Sequence, residues 1–201
     1  MAFLAGFRAA RLVDRVNRNM TTAVRLMQSR RGAEAIRPNE AAIRDVGKLL
    51  ALEPDDLEHH RMLGSLHYNG AAIYEQVGRL DMAVAQARLA ILHYELLPGG
   101  RAGPEDISNA GPATFANLLG PAPVSVEDAL DTAAYVADVR ARLARLLARH
   151  RGSAAEAEVH ELGRAAVAVY ERLVVSQPRR SSGLERVKTQ YRDARNALAG
   201  G

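Results

Sequence analysis

Residues 63–97 are the stretch that most limits what this chain can fold into. Two apolar runs with helical spacing meet there at a short turn, residues 77–81. Steps of three and four residues place each run on one helical face. The positions are His67, Ala71, Tyr74 and Val77 before the turn, and Leu80, Ala83, Ala87, Ala90, Ile91 and Tyr94 after it. Because so short a turn makes the two helices antiparallel neighbours, the pattern predicts a closely packed αα-hairpin.

The residue types in this hairpin resemble a tetratricopeptide repeat. That family has an aromatic–Asn pair, a small residue, a second aromatic, a turn glycine, a series of small residues and a closing proline. The corresponding residues here are Tyr68, Asn69, Ala71, Tyr74, Gly78, Ala83, Ala87, Ala90 and Pro98. Gly70 stands where the family usually has Leu. The resemblance implies a stack of antiparallel helical hairpins.

Two other segments resemble the second helix of this hairpin. Residues 41–54 end at Pro54, and residues 165–178 end at Pro178. Their separations from Pro98 exceed the length of a standard repeat. The first separation suits the longer variant found in kinesin light chains and bacterial signalling proteins, and the second includes an insertion.

Together these segments predict an all-α chain with a single helical-repeat domain over residues 1–201. We expect hairpins at about 3–53, 55–97 and 125–177, an insertion at 98–124 and a closing helix at 181–199. A closing helix covers the apolar edge that a stack of repeats leaves exposed. Residues 112–119 of the insertion predict a short helix. The insertion 98–124 acts either as a lid, with this helix folded back on the hairpins, or as a tether between two packed halves.

Local signals predict where the helices begin. Pro38 suits the first turn of the second helix. Asp55 or Asp56 is expected to cap the third helix, while Ser125 and Ser153 begin capping boxes in the last hairpin.

Composition excludes several classes of protein. The chain contains no Cys, which excludes disulfides and thiolate nucleophiles. No apolar run approaches the ~20 residues that a membrane-spanning helix needs, and the N-terminal residues resemble the start of a helix rather than a signal peptide. We therefore expect a cytoplasmic protein. With aromatic residues at only 4%, its core must be built from Ala, Leu and Val.

The first predicted helix, residues 3–29, has an apolar face and an arginine-rich face. The arginines are Arg8, Arg11, Arg15, Arg18 and Arg25. We interpret them as a solvated outer face, with docking to an acidic partner, a phosphate or an anionic membrane as the alternative. Only Lys48 and Lys188 are lysines among the 27 Lys and Arg residues. Such a preference for arginine is typical of the base composition of the genome rather than of phosphate binding, so nucleic-acid binding is not favoured.

No sequence motif indicates catalysis. The phosphate-binding GxxxxGK[ST] and GxGxxG patterns, the GxSxG elbow and the HExxH metal motif are all absent. His60 and His67 share a helical face, His59 adjoins them, and His93 belongs to the other helix of the hairpin. Ordinary polar histidines are the favoured interpretation. The alternative is a metal site completed by Glu53, Asp55 or Glu95.

The resemblance also implies a concave binding groove. Its lining would be Ser65, Tyr68, Asn69, Ala72, Glu75 and Gln76. Tyr68 would stack on an extended peptide and Gln76 would hydrogen-bond to it. Ser65 and Tyr68 occupy positions where carboxylate-binding members have Lys or Arg, so a C-terminal carboxylate ligand is not predicted.

We therefore expect a non-enzymatic adaptor or scaffold that binds another protein or a peptide, with no cofactor and no metal. Self-association stays open. The alternatives are a regulator that binds nucleic acid or an anionic surface through its arginines, and a helical-bundle metal protein or enzyme.

Overall fold

Helices account for all the regular structure that can be described in this chain. The computed structural model describes residues 2–108 and 125–200, with the side chains of residues 9–107 and 125–200. Its α-helices are α1 Ala2–Gln28, α2 Gly32–Leu52, α3 Leu57–Gln76, α4 Leu80–Glu95, α5 Pro104–Ser108, α6 Val126–Arg151, α7 Glu156–Ser176 and α8 Ser181–Ala199. Short 3-10 turns occupy Gly152–Ala155 and Pro178–Arg180. The all-α prediction is confirmed.

The helices belong to two compact units. The first covers residues 1–93 and the second residues 94–201. The expected single domain stays a prediction. Within residues 2–108 and 125–200, no helix combines the length and the apolar character that crossing a membrane requires.

In the first unit, α1, α2 and α3 pack against one another. Val16, Val46 and Leu66 are completely buried in one cluster. Ala23 and Ala35 are completely buried in another, near the end of α1 and the start of α2. Removing these side chains from water stabilises the unit, by about 1.5–3 kcal/mol for each large aliphatic residue.

In the second unit, α6, α7 and α8 pack pairwise. Ala137, Leu173 and Val187 are buried in their shared core. Gly163 lies so close to the Tyr191 ring that a Cβ on this glycine would come within 2.1 Å of it. The contact between α7 and α8 therefore depends on a missing side chain.

The chain leaves α1 and α3 through the same hydrogen-bonded turn. After α3, the Arg79 N–H donates to the Tyr74 carbonyl and the Gly78 N–H donates to the Glu75 carbonyl. This is the Schellman motif, whose turn residue takes a left-handed conformation. The same pair of bonds follows α1, with Arg30 in the place of Gly78. Arg30 has a φ of 58° and Gly78 a φ of 78°.

Two predicted helix starts are wrong. Pro38 lies inside α2, which begins at Gly32. Ala35, in the added first turn, is completely buried, and we infer that its packing offsets the hydrogen bond that proline cannot donate. Ser153 lies in a 3-10 turn, and the residue preceding α7 is Ala155, which has no capping side chain. Ala155 is itself buried, so packing rather than a capping bond defines this start.

Other predicted boundaries are confirmed. The Asp56 carboxylate accepts the Glu58 N–H at 2.8 Å, and the Ser125 hydroxyl accepts the Asp128 N–H at 3.0 Å. α6 ends at Arg151, and Gly152 is its C-cap. The α5 helix was not predicted, and the expected helix at 112–119 lies outside the described residues.

We predict that Arg30→Gly raises the free energy of unfolding by roughly 0.5–1 kcal/mol, because glycine adopts the left-handed conformation without the steric cost of a Cβ. Urea unfolding followed by circular dichroism measures the change. Arg30→Ala is the matched control, since it removes the same side chain but keeps the Cβ. Equal stability of the Gly and Ala variants would contradict the explanation.

Candidate functional site

The six residues predicted to line a groove all lie on one side of α3. The opposite side is buried and includes Leu66, Gly70 and Ile73. The predicted residues recur at steps of three and four along the helix. Ser65, Tyr68, Asn69, Ala72 and Glu75 are partly exposed, and Gln76 is exposed. They form what we call the α3 face, which extends about 16 Å along the helix.

The end of the α3 face is held against α1 and α2. The Gln76 Nε2 group donates to the Met27 carbonyl oxygen at 3.3 Å. The Gln76 Oε1 atom lies 2.6 Å from the position a Cβ on Gly32 would occupy, so this glycine provides room for the amide. Sequence reasoning assigned Gln76 to peptide binding, and the structure gives it this additional contact with α1.

The arginine face of α1 is partly used for packing. Arg15 donates to both carboxylate oxygens of Asp45 at 2.9 and 3.0 Å, and Lys48 donates to the same carboxylate at 2.8 Å. Burial of Asp45 acts to raise its pKa, but the hydrogen bonds from Lys48 and Arg15 outweigh it and lower the pKa. Arg15 therefore joins α1 to α2.

The other α1 arginines remain a candidate anion surface. Arg11, Arg18 and Arg25 are exposed, while the side chain of Arg8 lies outside the described residues. Arg11, Asp14, Arg15 and Arg18 surround a hollow of about 320 Å³. Asp14 and the paired Arg15 reduce the positive charge available to an anion there.

Three histidines meet between α3 and α4. The Nδ1 atoms of His60 and His93 are 3.2 Å apart, and the His67 and His93 rings are parallel with centroids 5.5 Å apart. We call His60, His67 and His93 the histidine trio. The sequence placed His60 and His67 on one face and His93 on the facing helix, and the structure brings all three together.

Burial favours the neutral form of His67 and His93. Burial lowers the pKa of His67, and burial together with the charges of His67 and His60 lowers the pKa of His93 to about 4. The His67 Nδ1 atom lies 2.7 Å from the Gln86 Oε1 atom, which suits a neutral ring that donates from Nδ1. Where the Nδ1 atoms of His60 and His93 face each other, one must donate and the other accept.

A second group of possible ligands occupies the connection between α2 and α3. The His59 Nε2 atom lies 3.8 Å from Asp56 Oδ2 and 4.0 Å from Glu53 Oε2. Sequence reasoning named His59 and Glu53 for a metal site but assigned Asp56 only a capping role. One Asp56 carboxylate oxygen caps α3, while the other faces His59. Asp55, the other suggested ligand here, is exposed.

Sequence reasoning missed a basic hollow in the second unit. It has a volume of about 350 Å³ and lies between α7 and α8. The lining residues are Arg164, Val167, Ala168, Glu171, Lys188, Tyr191, Arg192 and Arg195. The basic segment 179–196 indicated the part of the hollow that α8 supplies, whereas only the packing of α7 on α8 brings Arg164 to it. Glu171 pairs with Lys188 at 3.5 Å, so arginines supply most of the remaining positive charge.

We predict that acid destabilises the first unit through His93. An unfolded His93 titrates near the ordinary histidine pKa of 6.5, whereas the folded residue has a pKa of about 4. The unfolded state therefore binds more protons between these values, and stability that is complete above the unfolded pKa is lost as the pH falls towards the folded one. Allowing for partial solvent exposure, the loss is roughly 1–2 kcal/mol.

Urea unfolding at about pH 7.5 and about pH 4.5 measures this loss. His93→Gln removes the titrating ring and should reduce the difference between the two pH values. His150→Gln, at an exposed position near the end of α6, is the control and should leave the difference unchanged. If His93→Gln has no more effect than His150→Gln, the assignment to His93 is wrong.

Comparison with known proteins leaves these sites unassigned. No protein-family model, no curated protein and no solved structure matches this chain. Functional inference therefore rests on the side chains of the α3 face, the histidine trio and the Glu53–Asp56–His59 group.

Proposed function

We propose that this chain is a non-enzymatic interaction module of the tetratricopeptide type, which binds an extended segment of another protein along the α3 face. The observation that supports the proposal is that the six residues at the expected groove positions share one partly exposed side of α3, whose end contacts α1. The proposal concerns the first unit alone.

Repetition within the chain supports the tetratricopeptide assignment. At three places in the chain, a completely buried alanine of α2, α4 or α7 is followed seven residues later by a buried leucine. The pairs are Ala42 and Leu49, Ala90 and Leu97, and Ala166 and Leu173. The same Schellman turn also follows α1 and α3. Recurrent local structure of this kind is typical of repeat proteins.

Contacts between successive helices support a hairpin arrangement in the first unit. Arg15, in the middle of α1, pairs with Asp45 near the end of α2. Ala23, nearer the end of α1, clusters with Ala35 near the start of α2. Contacts that pair the later part of one helix with the earlier part of the next are those of antiparallel helices.

The α3 face has the chemistry to bind an extended peptide. The Tyr68 ring offers an apolar surface for stacking, and the Asn69 and Gln76 amides can donate and accept hydrogen bonds from a peptide backbone. Ala72, between them, contributes only a methyl group to the α3 face. No Lys or Arg lies among the six residues, so the proposed ligand is an internal segment and not a free C-terminus.

We predict that Tyr68→Ala and Gln76→Ala together abolish capture of the partner. The intact chain is used as bait in lysate from its source, at about 0.1 M and about 0.5 M NaCl, with retained proteins identified by mass spectrometry. The captured protein is then purified, and calorimetry should show its affinity for the double variant lowered at least about tenfold.

The matched control is Arg172→Ala with Thr189→Ala, two exposed positions in the second unit. Because Gln76 also contacts Met27, the double variant must retain the helical spectrum and melting temperature of the parent. A partner bound equally by both double variants would contradict binding at the α3 face. Recovery of nucleic acid or lipid only at low salt would instead favour the α1 arginines.

A further inference from the structure

We propose that Glu53, Asp56 and His59 form a binding site for one divalent transition-metal ion, of which Zn²⁺ is the representative. Each residue offers one ligand atom, and the three atoms lie within 4.8 Å of one another. The site joins the end of α2 to the first turn of α3. It does not depend on the peptide-binding function proposed above.

His59 provides the fixed part of the site. Only 6% of this residue is exposed, and its Nδ1 atom is buried without a hydrogen-bond partner. Its Nε2 atom is directed towards the two carboxylates, which lie beyond hydrogen-bonding distance at 3.8 and 4.0 Å. Burial holds the ring in one orientation, so Nε2 is already directed to the place where a metal ion between the two carboxylates would bind.

The carboxylates are the adjustable part of the site. The Glu53 side chain is 60% exposed and the Asp56 side chain 41% exposed, so both can move without disturbing the core. Ligand atoms around a tetrahedral Zn²⁺ ion are about 3.3–3.5 Å apart. Each carboxylate oxygen therefore needs to approach Nε2 by only about half an ångström. A change of rotamer in the exposed Glu53 side chain supplies this movement, and a small rotation that keeps the capping bond supplies it in Asp56.

The types of ligand select the class of metal. One imidazole nitrogen with two carboxylate oxygens suits Zn²⁺, Co²⁺ or Ni²⁺, whereas Mg²⁺ and Ca²⁺ prefer oxygen ligands alone. Two carboxylates balance the charge of a divalent ion. The N-terminus of α3 opposes a cation with only about half a positive charge, and the Asp56 Oδ1 atom already accepts the Glu58 N–H there. Water would complete the coordination.

The position of the site suggests what a bound metal does. Only the residues between Leu52 and Leu57 separate α2 from α3. An ion held by Glu53 on one side and by Asp56 and His59 on the other would cross-link this connection. Since α3 carries the α3 face, metal binding stabilises the helix on which that face lies.

Calorimetric titration of the full chain with Zn²⁺ tests the proposal, and the visible absorption of Co²⁺ reports the geometry. We expect one saturable equivalent and a higher melting temperature with metal. Glu53→Gln and Asp56→Asn should each weaken binding at least about tenfold, and the double variant should abolish it. Asp56→Asn is a mild substitution, because Asn caps helices as well as Asp does.

Asp55→Asn is the matched control. It removes the same charge from the neighbouring exposed position, and its affinity for Zn²⁺ should stay within about twofold of the parent value. His93→Gln tests the histidine trio as a competing site and should also leave the affinity unchanged.

Three results would overturn the proposal. They are the lack of saturable binding by the parent chain, unchanged affinity in the Glu53→Gln, Asp56→Asn double variant, and an equal loss in Asp55→Asn or His93→Gln. The third result would mean that the acidic connection attracts cations without specificity, or that the histidine trio holds the metal.

Discussion

Close approach of helices through small side chains is the constraint on which the rest of this structure depends. Aromatic residues make up only 4% of the chain. Completely buried alanines such as Ala23, Ala35 and Ala42 therefore fill the helix contacts of the first unit. In the second unit, a Cβ on Gly163 or Gly183 would come within 2.1 or 2.4 Å of a tyrosine ring. Helix contacts made by Ala and Gly bury little apolar area per residue. Stability therefore depends on how many such contacts there are and how closely the helices pack.

Because small side chains bring the helices close together, polar side chains of one helix can form hydrogen bonds with the next helix. The Tyr74 hydroxyl donates to Glu40 at 2.7 Å, and burial with this bond raises the Tyr74 pKa to about 12. In the second unit, Asp138 accepts bonds from Arg186 and Tyr170, while burial raises its pKa. Such buried polar contacts are weak evidence for added stability. Their directional bonds do restrict how far one helix can slide along the next.

Two of the candidate sites, the α3 face and the Glu53–Asp56–His59 group, use residues of α3 or of the turn that precedes it. Its buried side packs into the first unit, its partly exposed side carries Tyr68 and Gln76, and its first turn carries Asp56 and His59. The histidine trio could be predicted from the sequence because its members lie on two successive helices, α3 and α4, where helical spacing predicts which residues share a face. It missed the complete Glu53–Asp56–His59 group because Asp56 already had a sufficient role as a cap. It missed the basic hollow because Arg164 and the α8 residues approach only through tertiary packing.

Sequence alone determined the all-α class and most helix boundaries, because helical periodicity, capping side chains and turn glycines act over a few neighbouring residues. It did not determine where α2 begins, since burial of Ala35 outweighs the usual preference of Pro38 for a first turn. Tertiary structure alone decided which charged groups are paired. Arg15 and Asp45 are far apart along the chain, and only the packing of α1 on α2 brings them to 2.9 Å. Distances between side chains on different helices depend on the whole packed unit, which no local pattern encodes.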